Sequence, residues 1–103
     1  MIFNIPNQQH VIDFYGDQAQ SLVHAEECSE LIQAISKNYR VKSNPATVYE
    51  RELAHLNLIE EIADVLVCIE QMMEIHKISE AEVQGFIYRK CARQEDRLCS
   101  YPH

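Results

Sequence analysis

The stretch HAEECSELIQ, residues 24–33, places an E-x-x-E pattern inside a segment that is otherwise largely apolar or uncharged. A second stretch, EEIADVLVCI, residues 60–69, places an E-x-x-D pattern in even more apolar surroundings. Residues three apart lie next to each other on one face of a helix. Each stretch therefore predicts a helix that carries two adjacent carboxylates, and the pairing of these helices decides the fold.

The composition predicts an all-α protein. The chain of 103 residues contains only 2 glycines and 3 prolines, and it is rich in residues that favour helices. This length suits one modest core, so residues 1–103 are expected to form a single domain. The formal net charge of −7 argues against nucleic acid or an anionic membrane as a partner, because an acidic surface repels both.

The sequence also limits targeting and cysteine chemistry. The first residues, MIFNIPNQQH, lack the basic and apolar regions of a secretion signal, and no stretch is long and apolar enough to span a membrane. We therefore expect a cytoplasmic protein. The four cysteines form neither a C-x-x-C pair nor a zinc spacing, which predicts ordinary core or surface thiols at Cys28, Cys68, Cys91 and Cys99.

Two helices are predicted in the first half of the chain. A short helix over residues 8–15 ends near Gly16, and Asp17 is the expected N-cap of a long helix that runs to about Arg40. The sequence VKSNPAT then breaks the helix, with a turn at Pro45.

Two further helices are predicted in the second half. Thr47 is the expected cap of a helix over residues 49–76, which contains neither glycine nor proline. Ser79 and Glu82 have the spacing of a reciprocal capping box, so a last helix begins there and runs to about Leu98, followed by a frayed tail, CSYPH.

On the second helix, at about 100° per residue, Glu27 and Glu30 border an apolar arc, whereas Glu26 falls on the solvent side. The arc contains Ala25, Cys28, Leu31, Ile32, Ile35 and Tyr39. On the third helix, apolar residues surround Glu61 and Asp64 in almost every direction, which predicts a helix buried on all sides. Glu60, like Glu26, fits an ordinary surface charge.

The two carboxylate pairs lie at equal distances from the turn. Fifteen residues lead from Glu30 to Pro45, and fifteen more precede Glu61. An antiparallel hairpin about Pro45 therefore brings both pairs to one level. Four carboxylates that close together repel one another unless a cation lies between them, and oxygen ligands favour Mg²⁺, with Mn²⁺ as the alternative. The competing interpretation is a set of capping or salt-bridge residues on solvated faces.

Both motifs together, ECSE at residues 27–30 and EIAD at residues 61–64, resemble the signature of the MazG-like all-α nucleoside triphosphate pyrophosphohydrolases. The resemblance includes YGDQAQ upstream, with Gln20, and YRKCARQEDR downstream. It implies Mg²⁺-dependent hydrolysis of a nucleoside triphosphate, with or without a 2′-deoxy sugar, to a monophosphate and pyrophosphate. By motif position the metal ligands are Glu27, Glu30, Glu61 and Asp64, and Gln20 belongs to the substrate-binding residues.

Two further roles are predicted at this site. Either Glu27 or Glu26 accepts the proton of the attacking water. The last predicted helix, from the Ser79 cap to about Leu98, is numbered α4 as the fourth in the chain. On it Lys90, Arg93 and Arg97 share an arc of about 60°, which we call the α4 basic stripe, and it is a candidate clamp for the β and γ phosphates. A solvated face with ion pairs to neighbouring acids is the alternative for the stripe.

Two other functions stay open from the sequence. Glu52 and His55 form the only Glu-x-x-His pattern, which would suit a carboxylate-bridged di-iron or di-manganese protein, although such proteins need this pattern on two helices. A non-enzymatic helical dimerisation module is the second alternative, in which the acidic cluster is incidental.

A second copy of the chain is also predicted. On the third helix Ile59, Ala63 and Val67 lie roughly opposite Val65 and Ile69, and one hairpin covers only one of these sides. Two hairpins related by a two-fold axis would complete a four-helix-bundle core. We therefore expect a homodimer, with pairing into a homotetramer as a further option.

Overall fold

The computed structural model describes residues 3–102 and confirms the all-α prediction, since these residues contain four helices and no strand. The helices are α1 (Gln9–Tyr15), α2 (Asp17–Ser43), α3 (Val48–His76) and α4 (Glu80–Ser100). Within the described range no helix combines the length and apolarity needed to cross a membrane.

Both predicted caps in the second half are confirmed, and each is a complete capping box. The Thr47 hydroxyl accepts from the backbone N–H of Glu50, and the Glu50 carboxylate accepts in return. Ser79 and Glu82 repeat the arrangement at α4. Hydrogen bonds from the Ser79 backbone and hydroxyl lower the pKa of the Glu82 carboxyl, because they stabilise its charged form.

The prediction that Asp17 caps α2 is wrong. Gly16 is the cap residue, with φ of +88°, a conformation that glycine adopts without a steric cost. This conformation turns the chain directly from α1 into α2, so Asp17 is already the first helical residue.

Four other helix boundaries differ from the predictions by one to three residues, the first being the start of α1 at Gln9 and not at residue 8. The third helix begins one residue before the predicted position 49. The second helix continues to Ser43, where Asn44 bonds the Arg40 carbonyl through both its backbone and its side-chain N–H. The last helix includes Cys99 and Ser100, which were expected in the tail, and His103 lies outside the described residues.

Helices α2 and α3 form the predicted antiparallel hairpin, joined by residues 44–47. The Gln20 side chain donates a hydrogen bond to the Gln71 side chain at 2.9 Å. Gln20 and Gln71 lie equally far along the sequence from the Pro45–Ala46 bond, on opposite sides of it. The same symmetry relates Glu30 to Glu61 and Glu27 to Asp64. The hairpin therefore keeps the expected register along its length.

The seam between the hairpin helices is small and polar. The buried residues within 3–102 are four apolar ones, Ile12, Ala34, Ala54 and Cys68, and three polar ones, Gln20, His24 and Gln71. By contrast, Ile32 and Ile35 of the predicted apolar arc are 66% and 53% exposed. On α3, Ile59 is 51% exposed, so a single chain does not bury this helix on all sides as predicted.

Helix α4 extends away from the hairpin. It has no buried residue, and its backbone makes no close approach to α1, α2 or α3. The chain has a radius of gyration of 17.5 Å, whereas a compact domain of this length has about 13 Å. Its exposed surface is 8230 Å², against about 6,000 Å² for a typical monomer of this mass. One chain therefore exposes roughly 2,000 Å² more than a self-sufficient domain does.

Candidate metal centre

Carboxylates from both hairpin helices meet in the middle of the seam. One oxygen each from Glu27, Glu61 and Asp64 lies within 4.8 Å of the others. Glu30 completes the group beside Glu61, close enough for the two carboxyls to share a hydrogen bond when one is protonated. The predicted convergence of the two carboxylate pairs is thus present in the structure, with three members tightly grouped and Glu30 adjacent. We call these four residues the carboxylate cluster.

The cluster is electrostatically unfavourable without a counter-charge. Loss of hydration raises the pKa of Glu27, and the negative charges of Glu30, Asp64 and Glu61 raise it further. Loss of hydration also raises the pKa of Glu61, followed by the charges of Glu30, Asp64 and Glu60. Both effects disfavour the charged form of a carboxyl group. A bound cation would reverse them, because it stabilises the ionised carboxylates.

Two oxygens of the cluster have no protein partner. In the part of the chain that the structure describes, Oε2 of Glu27 and Oε2 of Glu61 are inaccessible to solvent and accept no hydrogen bond. An inaccessible carboxylate oxygen without a partner costs free energy, because water no longer solvates it. The donor set contains oxygen alone, which suits a hard divalent cation. The residues present therefore fit Mg²⁺ or Mn²⁺.

A network of buried amides lies beside the cluster, on the side away from the hairpin turn. Oε1 of Gln71 accepts from Nε2 of Gln20 at 2.9 Å and is 2.8 Å from Nε2 of His24. Its Nε2 donates to Gln8 at 3.0 Å. Since a carbonyl oxygen only accepts, Nε2 of His24 carries the proton. Gln20, predicted to contact substrate, is 7% exposed and is a member of this network.

Cys68 packs beside the cluster as an inert thiol. Burial raises its pKa to about 11, and the nearby charge of Glu27 adds to the shift, so the thiol stays protonated at neutral pH. All four cysteines are free, with Cys68 buried, Cys28 half-buried, and Cys91 and Cys99 exposed. These positions agree with the prediction of core and surface thiols.

Other acids predicted from the sequence lie outside the cluster. Glu26 and Glu60 are exposed, as expected of surface charges. Glu52 and His55 line a separate cavity of about 530 Å³ nearer the hairpin turn. This cavity contains none of the cluster carboxylates, so the Glu-x-x-His pattern does not contribute to the same site.

The α4 basic stripe is not brought to the cluster within one chain. Arg93 and Arg97 line a surface cavity of about 460 Å³ with Asp96 and Tyr101, near the end of α4. Lys90 is exposed on the same helix, whose first turns border α3 beside Ile69 and Met73 but whose backbone makes no close approach to the hairpin. The stripe can reach a carboxylate cluster only if chains associate or α4 moves.

Comparison of the chain with protein-family models, with curated proteins and with solved structures finds no match.

Proposed function

We propose that this protein hydrolyses a nucleoside or deoxynucleoside triphosphate to the monophosphate and pyrophosphate, with a divalent cation held by the carboxylate cluster. The observation that carries the proposal is the meeting of carboxylates with two solvent-inaccessible, unpartnered oxygens in the seam of the hairpin. Glu27, Glu30, Glu61 and Asp64 would hold Mg²⁺, with Mn²⁺ as the alternative. The resemblance of ECSE and EIAD to the MazG-like family supplies the reaction class.

The reaction needs little covalent participation from the protein. Water attacks a phosphorus atom of the bond between the α and β phosphates, that anhydride bond breaks, and the water proton passes to a base. Bound Mg²⁺ supplies neutralisation of phosphate charge. The protein residues have three tasks: to hold the cation, to orient the triphosphate and to accept the proton. Glu27 is the better placed of the two candidate bases, because it lies half-buried in the cluster whereas Glu26 is exposed.

We also propose a homodimer as the working form. The excess exposed surface, the exposed Ile32, Ile35 and Ile59, and the unpacked α4 all favour an additional interface. Two hairpins packed through these apolar faces would make the predicted four-helix core. A stable homodimer typically buries about 2,000 Å² or more in total over both chains. The excess exposed surface of each chain is large enough for such an interface.

The non-enzymatic dimerisation module is the second candidate, since the exposed apolar faces favour it. It gives no reason for the unpartnered carboxylate oxygens in the seam. The two candidates differ in their response to metal. A scaffold melts at the same temperature in Mg²⁺ and in EDTA, whereas a filled carboxylate cluster is stabilised by the cation it binds.

The deciding experiment is pyrophosphate release from a panel of nucleoside and deoxynucleoside triphosphates, with Mg²⁺ or with EDTA. We expect Mg²⁺-dependent release that Asp64→Asn, Glu30→Gln or Glu61→Gln abolishes without unfolding the chain. Glu60→Gln is the matched control, because it removes the same charge from an exposed neighbour on the same helix. Absence of turnover in the wild-type protein, or full turnover in Glu61→Gln at saturating Mg²⁺, would contradict the proposal.

A further inference from the structure

A polar cavity of about 650 Å³ adjoins the carboxylate cluster on its hairpin-turn side. Its volume lies in the range of small-molecule sites. Glu30 and Glu61 of the cluster are among its lining residues, and so are Lys37, Arg40 and Asn57. The cavity therefore joins the proposed cation site to two positive side chains and one amide.

Lys37 and Arg40 have no assigned partner. Neither side chain forms a hydrogen bond or an ion pair with any of the described residues 3–102. The positions one helical turn before and after each of them contain no carboxylate, so the usual helix ion pairs are impossible. The two cations are themselves one turn apart and repel each other. Both side chains are exposed to solvent, and it is their place beside the cavity that indicates a ligand, because two positive charges there offer complementary charge to an anionic group.

The helix geometry places Lys37 on the same side of α2 as Glu30. Lys37 lies two turns after Glu30, on nearly the same face of α2 and about 10 Å further along the axis. Side chains on a helix lean toward its N-terminus, which directs Lys37 back toward Glu30. Ala34, which is 2% exposed, lies between them and lines the same cavity with a minimal side chain. Space is thus left open between carboxylates and cations.

We propose that Lys37 and Arg40 hold the β and γ phosphates of the substrate, with Asn57 as an additional hydrogen-bond donor. The inference rests on the proposed triphosphate hydrolysis, which requires a binding site for the polyphosphate. We call the site formed by Lys37, Arg40 and Asn57 the phosphate seat. The cation at the cluster then lies near the scissile end, and the pyrophosphate leaving group points toward the hairpin turn. Arg40 offers forked donors to phosphate oxygens, and Lys37 offers a compact charge.

This seat gives the chain its own phosphate-binding group, independent of α4. Arg93 and Arg97 of the α4 basic stripe line a cavity that contains no cluster carboxylate. Lys37 and Arg40 are fixed on the same hairpin as Glu30 and Glu61, so their spacing does not depend on association between chains.

The test uses the full-length protein and sodium tripolyphosphate as the probe, titrated calorimetrically with and without Mg²⁺. The variants are Lys37→Gln and Arg40→Gln, and the control is Lys42→Gln, an exposed lysine on the same helix that lines a different cavity. Each charged hydrogen bond that is lost should weaken tripolyphosphate binding about ten- to a hundredfold. Mg²⁺ affinity measured without the probe should stay unchanged, and KM for the triphosphate should rise by a similar factor.

The outcomes separate this inference from the proposed function. If the wild-type protein hydrolyses triphosphates while Lys37→Gln and Arg40→Gln bind tripolyphosphate as tightly as Lys42→Gln does, the seat is wrong and the hydrolase stands. If the wild-type protein shows no turnover yet binds tripolyphosphate through Lys37 and Arg40, the seat stands and the reaction is wrong. If the wild-type protein fails to bind the probe under either condition, the seat is overturned.

Discussion

Gln71 connects the two hairpin helices beside the carboxylate cluster, and its replacement by methionine gives the most quantitative test of the seam. Gln71→Met keeps the length of the side chain but removes the acceptor for Gln20 at 2.9 Å and for His24 at 2.8 Å. Both donors stay buried, since Gln20 is 7% and His24 is 3% exposed. Each unsatisfied donor costs about 1–3 kcal/mol.

The expected loss of stability is about 3 kcal/mol. Two unsatisfied donors give roughly 2–6 kcal/mol, and transfer of the less polar methionine side chain into the core offsets about 1 kcal/mol of this cost. The loss is a large part of the total stability of a small domain, which is about 5–15 kcal/mol. The measurement is urea unfolding followed by circular dichroism at one fixed protein concentration, because association between chains makes stability depend on concentration.

The control is Gln18→Met, which makes the same substitution at an exposed position of α2. The pairing of Gln20 with Gln71 is isolated by Gln20→Met and the double variant, since the double variant loses this contact only once and should therefore cost less than the sum of the two single substitutions. A loss below about 1 kcal/mol for Gln71→Met, or full additivity in the double variant, would refute the stabilising role of the network.

Three other predictions concern the cluster, the stripe and the interface. Because the pKa values of Glu27 and Glu61 are raised above the ordinary 4.5, the folded protein holds protons that the unfolded chain has released; metal-free stability should fall as pH rises above about 4.5. Glu61→Gln or added Mg²⁺ should lessen this fall in stability. A melting temperature in EDTA that rises with pH above 4.5 would contradict the prediction. If the α4 basic stripe binds phosphates across an interface, Arg93→Ala should impair triphosphate hydrolysis without changing Mg²⁺ affinity. Arg89→Ala is the control, and equal kinetics of the two variants would show that the stripe is only a solvated face. Val67→Asp should lower solubility or activity although Val67 is no ligand, and a wild-type monomer of 12.0 kDa in sedimentation that still hydrolyses nucleotides would refute the homodimer.

The hairpin and its register were predictable because they depend on local and countable features. The break at Pro45, the cap at Thr47 and the equal spacing of the carboxylate pairs together fix which residues of α2 and α3 face each other. The capping box of Ser79 and Glu82 was also predictable, because it depends only on the spacing of two residues. The Asp17 cap was wrong because the positive φ of Gly16 let α2 begin one residue earlier, and backbone conformation is not visible in a residue pattern.

The polar seam was not predictable from hydrophobic periodicity. That pattern marks the apolar arc of α2 as its packing face, whereas the structure turns Gln20, His24 and Ala34 toward α3 and leaves Ile32 and Ile35 exposed. A single chain covers only part of this arc, since Cys28 and Leu31 are half-buried. The signal that could have identified the seam is the register itself, because it places Gln71 opposite Gln20 as surely as it places Asp64 opposite Glu27.

The composition of the seam explains how the cluster can hold its geometry before a ligand arrives. On the hairpin-turn side, Ala34 and Ala54 are 2% and 1% exposed, and residues this small let the two helices approach closely. On the other side, the amide of Gln71 joins α2, α3 and the segment before α1 through hydrogen bonds to Gln20 and Gln8. Close packing and directed hydrogen bonds both resist sliding of one helix past the other. The carboxylates repel one another between these two constraints, so loss of hydration and repulsion together raise the pKa values of Glu27 and Glu61 instead of separating the helices. Under the proposed function, a hard cation would then bind side chains that are already in place, without refolding of the chain.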